Sequence, residues 1–291
     1  MRYLAIVAGL LFSAIPPSVA HGQPPQYEPT WLQLEYERSS ERSDGQTSGT
    51  SLGRQALIET VIEETPGGVV LQYDLPRDEG GKANSGFWYF PARVIERPDG
   101  SLGLLDEQVV EARIDKWLEK HRIPKEACGM WNHGGGFPFK VDCDPQSILD
   151  QIESFDLRIS DLMAGAEYSH AQGDVPGILM ALPAAGRPGY SVTFTVDQDK
   201  ARTAEVAKAL ILAQMLGKDL SRQQAEADAA KIGFQGSIRI EFDLNPAGTV
   251  IRKTEQSEIT VTRPGEDAET TTSLTTVTRL DLESALEKFA D

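Results

Sequence analysis

Two cysteines, four histidines and a few acidic pairs are the residues best suited by type to carry chemistry. Cys128 and Cys143 enclose GMWNHGGGFPFKVD. At that spacing in an exported chain they are expected to form a disulfide, worth about 3 kcal/mol by loop-closure entropy. A zinc site from Cys128, His133 and Cys143 is the alternative. It would need a fourth ligand such as His121, and the tight Cys pairs of zinc motifs are absent. The loop also holds Trp131, Phe137 and the run Gly134-Gly135-Gly136. Its aromatics either pack down onto neighbouring helices or, with His133, offer a stapled contact loop to a ligand.

The remaining catalytic signatures fail on context. Gly49-Thr50-Ser51-Leu52-Gly53 fits G-x-S-x-G. A nucleophile elbow needs a buried strand before the serine and a helix after it, whereas here a polar stretch precedes and a strand pattern follows. There is no H-E-x-x-H and no phosphate loop ending in Lys-Ser/Thr. Asp142/Asp144 and Asp197/Asp199 each precede a helical pattern, so they read as N-caps. The calcium-loop pattern is missing. No residue is assigned a catalytic role, no cofactor or metal is expected, and the chain leans away from being an enzyme. A hydrolase built around His133 or His170 is the alternative.

The apolar segment Val175-Pro176-Gly177-Ile178-Leu179-Met180-Ala181-Leu182-Pro183 has too much Pro and Gly for a regular helix. It either crosses the core or covers a contact surface, and Met180 suits an adaptable one. Trp131, His133, Phe137, Ile178, Leu179, Met180 and Leu182 are therefore the candidate ligand or partner contacts.

The elements that must position these residues follow from periodicity. Leu32, Leu34 and Tyr36 alternate with polar residues, and so do Tyr190, Val192, Phe194 and Val196, and Ile238, Ile240, Phe242 and Leu244. Val69, Leu71, Tyr73 and Leu75 follow the turn Pro66-Gly67-Gly68, which predicts an antiparallel hairpin. Ser39 to Gly49 reads as a loop, and Phe87 to Ile95 as a strand. The turns Asn245–Gly248 and Arg263–Glu266 divide the last third into a meander ending in a Thr-rich strand. Helices are expected from Asp106 to about Arg122, from Asp144 with a stripe through Ile159, Leu162 and Met163, from about Lys200 to Leu216 with Asp197 or Asp199 as its cap, and from Ser221 to Lys231, with a terminal helical turn over Ser284 to Ala290.

These patterns predict an α+β fold of long antiparallel strands in one curved, half-barrel-like sheet, with central and C-terminal helices packed against it. That layout is similar in architecture to the periplasmic lipoprotein carriers, without a shared motif. The organisation expected is a signal peptide over 1–20, a flexible lead over 21–29 and one domain over 30–291. The domain is β-rich over 30–105, helical with the Cys loop over 106–185, and returns to strands and helices over 186–291. The signal peptide is read from Arg2, the apolar run Leu4–Ile15 and the small residues Ser18-Val19-Ala20, with cleavage after Ala20. The run is too short to span a bilayer, which takes about 20 residues. No later segment reads as transmembrane.

The chain has 291 residues and a net charge of −16, spread without an acidic block. Such a chain repels phosphate backbones, so nucleic acid is excluded as a general partner. The expectation is a periplasmic or secreted envelope protein that binds or carries a hydrophobic small molecule, a lipid or an envelope protein. A structural envelope role without a ligand is the further alternative.

Overall fold

The computed structural model describes residues 28–44, 47–76, 88–132, 139–159, 162–182 and 188–281. The first third forms strands β1 (Thr30–Arg42), β2 (Thr47–Thr65), β3 (Gly68–Asp74), β4 (Ala92–Glu96) and β5 (Leu102–Leu104). The middle holds α1 (Glu107–His121), a 3-10 turn (Lys125–Ala127), β6 (Trp131–Asn132), β7 (Phe139–Lys140), α2 (Ser147–Glu153), β8 (Glu167–Tyr168), β9 (Gly177–Ile178) and β10 (Met180–Ala181). The last third comprises β11 (Gly189–Thr195), α3 (Gln198–Met215), α4 (Arg222–Ala229), β12 (Gly233–Leu244), β13 (Val250–Thr262) and β14 (Glu269–Asp281).

The two β-rich regions join in one open, antiparallel sheet of ten strands, in the order β10-β11-β12-β13-β14-β1-β2-β3-β4-β5. The seam is the pairing of β1 with β14, which runs from Thr30 opposite Asp281 to Arg42 opposite Glu269. Along β1, Leu32, Leu34 and Tyr36 lie on one face, the core face, and Trp31, Gln33 and Glu35 on the other. Leu57, Leu71, Val94, Val192, Ile240 and Phe242 belong to the buried cluster on the core face, joined by Ile114 and Leu118 of α1 and Ile148 and Ile152 of α2. Helices α3 and α4 make a smaller cluster of their own around Val206, Ala225 and Ala229.

Several boundaries differ from the sequence expectation. The stretch Ser39–Gly49 is not a loop: β1 continues to Arg42 and β2 begins at Thr47. Cross-strand hydroxyl pairs support this extension, among them Ser40 with Thr271 at 2.9 Å. The second central helix stops at Glu153 in a turn, after which Phe155 and Leu157 are both buried, two positions that a continued helix would turn to opposite sides. Asp144 accepts from the Gln146 amide in a turn ahead of α2. Asp106 makes no side-chain cap on α1; its carboxylate is 3.2 Å from Arg93 Nε. Of the strand expected over Phe87–Ile95, the described part from Trp88 is strand only from Ala92 onward, and Trp88 instead donates its indole N–H to the Asp142 carbonyl at 3.0 Å. Of the two candidate caps of α3, Asp197 takes the position and accepts from the Asp199 and Lys200 amides, and Ser221 caps α4 as expected, in a reciprocal box with Gln224. The expected turn over Ser284–Ala290 and the leader lie outside the described residues.

Candidate functional site

Residues 162–182 form a strap along the β11 end of the sheet. Its glycines explain how it lies flat. A Cβ on Gly177 would stand 2.3 Å from Val192 Cγ2, and one on Gly173 would stand 2.8 Å from Phe194 Cδ1. The strap is folded on itself by the Gly165 amide to the Leu179 carbonyl at 2.8 Å and the Leu179 amide to the Ala166 carbonyl at 2.9 Å, and is tied to the sheet by the Asp174 amide to the Thr195 carbonyl at 3.0 Å. It is also tied by Lys200 Nζ, which donates to the Gly173 carbonyl at 2.7 Å. Leu179 is turned into the core with 2% of its surface exposed, while Ile178 and Met180 on either side keep 51% and 67%. Val175 and Met163 are also exposed, and Leu182 is half-buried. The strap therefore combines an anchor with outward apolar side chains, and its Met180–Ala181 segment is itself the end strand β10.

Beneath the strap, His170 faces the sheet. Its Nδ1 accepts from the Gln172 amide at 3.2 Å, and its Nε2 lies 3.6 Å from Glu255 Oε1 on β13. With Nδ1 accepting, the N–H is on Nε2 and points at the carboxylate. That N–H, outweighing burial, holds Glu255 below the usual carboxylate range, helped by the charge of Lys253. Among the described residues, no serine, threonine or cysteine side chain hydrogen-bonds to His170. The pair orients the strap.

A second polar group, unforeseen in the sequence, lies under the chain that follows α2. Tyr73 Oη donates to Glu59 Oε2 at 2.6 Å, and Arg279 Nη2 is 3.4 Å from Glu59 Oε1. Arg158 Nε donates to Asp156 at 2.8 Å, and its Nη1 is 3.9 Å from Glu96. Burial pushes the Tyr73 hydroxyl and the Glu96 carboxyl up, with the Glu59 charge adding to the effect on Tyr73. These residues stand on β2, β3, β4, β14 and the segment after α2, so no short motif contains them. One signal was available: Glu59 shares a face of β2 with Leu57 and is buried. Paired and hydrogen-bonded, the group fixes the central segment across the sheet.

Cys128 and Cys143 are bonded, with Cα atoms 5.5 Å apart. Neither thiolate is thus available to a metal. Among the described residues no cluster of His, Cys, Asp or Glu is placed to hold one. Trp131 is half-buried at the start of β6. His133 and Phe137 lie outside the described residues. Asp142, beside Cys143, is held by Trp88 and Tyr89 just before β4. The described end of the Cys loop thus lies by β4, and the strap by β11. Gly49–Gly53 lies within β2, with no helix following Ser51.

Among the described residues, two surface depressions of about 470 Å³ each are open to solvent. One lies over β1, β2 and β14, walled by Leu52, Arg54, Glu35 and Leu274. The other lies between α3, α4 and the Arg263–Glu266 turn. Neither is lined by a candidate contact residue. No helix among the described residues is long and apolar enough to cross a membrane.

No family model matches the chain, and no curated protein matches it by sequence. Among solved structures, a lipovitellin described for its lipid–protein interactions aligns at TM-score 0.39 and 10% identity, over 89% of this chain and 25% of its own. OccK1 (OpdK) of Pseudomonas aeruginosa aligns at TM-score 0.19 and 7% identity, over 87% of this chain and 98% of its own. A DUF1329 family protein from Desulfovibrio piger aligns at TM-score 0.14 and 9% identity, over 86% and 84%. The chain spans about a quarter of the lipovitellin. At these TM-scores the likenesses carry no argument about function.

Proposed function

We propose that the protein is exported and acts as a non-catalytic binding or carrier protein, taking an apolar ligand or a partner's apolar segment at the strap. The observation that supports this reading is the alternation at 178–180, where the anchor Leu179 is buried and Ile178 and Met180 face solvent. Apolar side chains held outward on an anchored backbone pay little ordering entropy on binding, and Met adapts to irregular partners. Val175 and Met163 extend the same surface. Export is inferred from the leader-like first twenty residues.

The double substitution Ile178→Asp with Met180→Asp tests the site. We expect co-purified lipid, read by native mass spectrometry, or photocrosslinks formed from the strap in the cell envelope, to disappear. Circular dichroism should stay unchanged, because both side chains are already exposed. A doubly substituted protein that keeps its ligand or crosslinks defeats the proposal, as does a wild-type protein with neither. Export predicts an N-terminus at His21 in the processed protein, and a start at Met1 would overturn it.

A further inference from the structure

The outward surface of the strap carries an oxidisable chemistry. Of the five methionines in the chain, Met163 and Met180 both stand on the strap. Methionine is ordinarily a buried residue, yet these two keep 60% and 67% of their surface exposed. Met215, at the end of α3, is half-buried. The two strap methionines stand near one another in the fold. The Met163 carbonyl accepts from the Ala166 amide at 3.1 Å, and the Ala166 carbonyl accepts from the amide of Leu179, the neighbour of Met180. The chain's two cysteines are bonded to each other. No thiol is therefore present to react first with an oxidant, and the exposed thioethers meet it instead.

Resting on the strap as the binding surface, we propose that Met163 and Met180 are sites of sulfoxidation that switch this surface from apolar to polar. The oxidant is a hydroperoxide, hydrogen peroxide being the simplest. Sδ attacks one peroxide oxygen, so that an S–O bond forms and the O–O bond breaks. The sulfur gives up two electrons, the departing hydroxide takes the proton left on the transferred oxygen, and water results. The thioether becomes a polar, chiral sulfoxide, and no bond of the chain is cut. Val175 and Ile178, the other outward apolar side chains, are saturated hydrocarbon and do not take this step. Oxidation therefore turns two of the four outward apolar side chains polar. The anchor Leu179 and the backbone bonds of the strap are untouched, so the strap keeps its place and loses its hold on an apolar ligand. Sulfoxides are enzymatically reducible, which makes the switch reversible.

Peptide mass spectrometry after treatment of the full processed protein with dilute hydrogen peroxide tests the chemistry. Met163 and Met180 should each gain about 16 Da, one oxygen, well before Met215 does. Binding of the neutral apolar dye N-phenylnaphthylamine, and photocrosslinks formed from the strap in isolated envelopes, should then be lost with circular dichroism unchanged. Methionine sulfoxide reductases of both epimer specificities should restore them. The variant Met163→Leu with Met180→Leu keeps the strap apolar and leaves Met130, itself 60% exposed, open to the oxidant. It should bind the dye and crosslink equally with and without peroxide. The proposal is overturned if Met163 and Met180 oxidise no faster than Met215, if the oxidised wild type still binds, or if peroxide disables the leucine variant as it does the wild type. A wild type that neither binds the dye nor crosslinks before any oxidant is added defeats the strap as a binding surface, and the switch with it.

Discussion

Strand β1 passes through two environments. From Trp31 to Leu34 every side chain is buried, on both faces of the sheet. From Tyr36 to Arg38 the side chains are exposed on both faces. The packed end is held by apolar contact with β2, β3, α1 and α2. The free end, where β13, β14, β1 and β2 run on beyond that cover, is held by backbone ladders and cross-strand hydroxyl pairs. Ser257 with Ser273 at 2.7 Å and Thr260 with Thr270 at 2.9 Å are examples. The difference separates two ways of keeping a strand in place. Burial removes apolar area from water, while β-branched side chains and pairing suffice where both faces are wet.

Three substitutions break or sharpen that contrast. At the packed end, Leu57→Ala should cost about 2–5 kcal/mol, because Leu57 is 2% exposed and its loss leaves a cavity. At the free end, Leu274→Ala should change stability by about 0.5 kcal/mol at most, since Leu274 is 40% exposed. Urea denaturation of both variants checks the pair, and equal losses would abolish the distinction. Replacing both cysteines by alanine should cost about 2–4 kcal/mol through the larger unfolded ensemble. The loss should show in the urea midpoint and vanish when wild type is measured reduced.

The smallest effect concerns the middle of the sheet, where Glu255 meets His170. Because the folded value of Glu255 is depressed, its contribution is fully present above the ordinary value of 4.5 and is lost as pH falls through the folded one. Glu255→Gln should remove that acid-side decline in urea midpoints measured across this range. An unchanged pH profile would show that the His170–Glu255 pair does not hold the strap.

The sequence reading reached most of the fold through strong periodicity. Ile238, Ile240 and Phe242 alternate without ambiguity, and Asp197 and Ser221 carry their caps in the chain itself. It stopped short where local pattern and tertiary contact disagree. Ile152, Phe155 and Ile159 have helical spacing, yet the chain turns at Phe155 and buries both Phe155 and Leu157. In β2 two alternations compete, Ala56-Ile58-Thr60 against Leu57-Glu59-Val61, and the set containing an acid faces the core. Only the neighbours Tyr73 and Arg279, 14 and 220 positions away, make that burial tolerable. The strap was legible as an apolar, non-helical segment. Which of its residues point outward depended on Val192 and Phe194 meeting its glycines, contacts that no local pattern records.

The seam between β1 and β14 also bears on how the chain matures. Strands β2 and β13 each find a neighbour close by in sequence, but β1 must wait for the last described strand before its second edge is satisfied, since Thr30 lies opposite Asp281. Contacts of such long sequence separation form slowly, because loop closure precedes any gain from pairing. Synthesised or translocated from its N-terminus, the chain would hold Trp31, Leu32 and Leu34 on an unfinished edge until nearly all of it had emerged. A truncation before Glu269 would leave that edge, and the facing one on β13, permanently open.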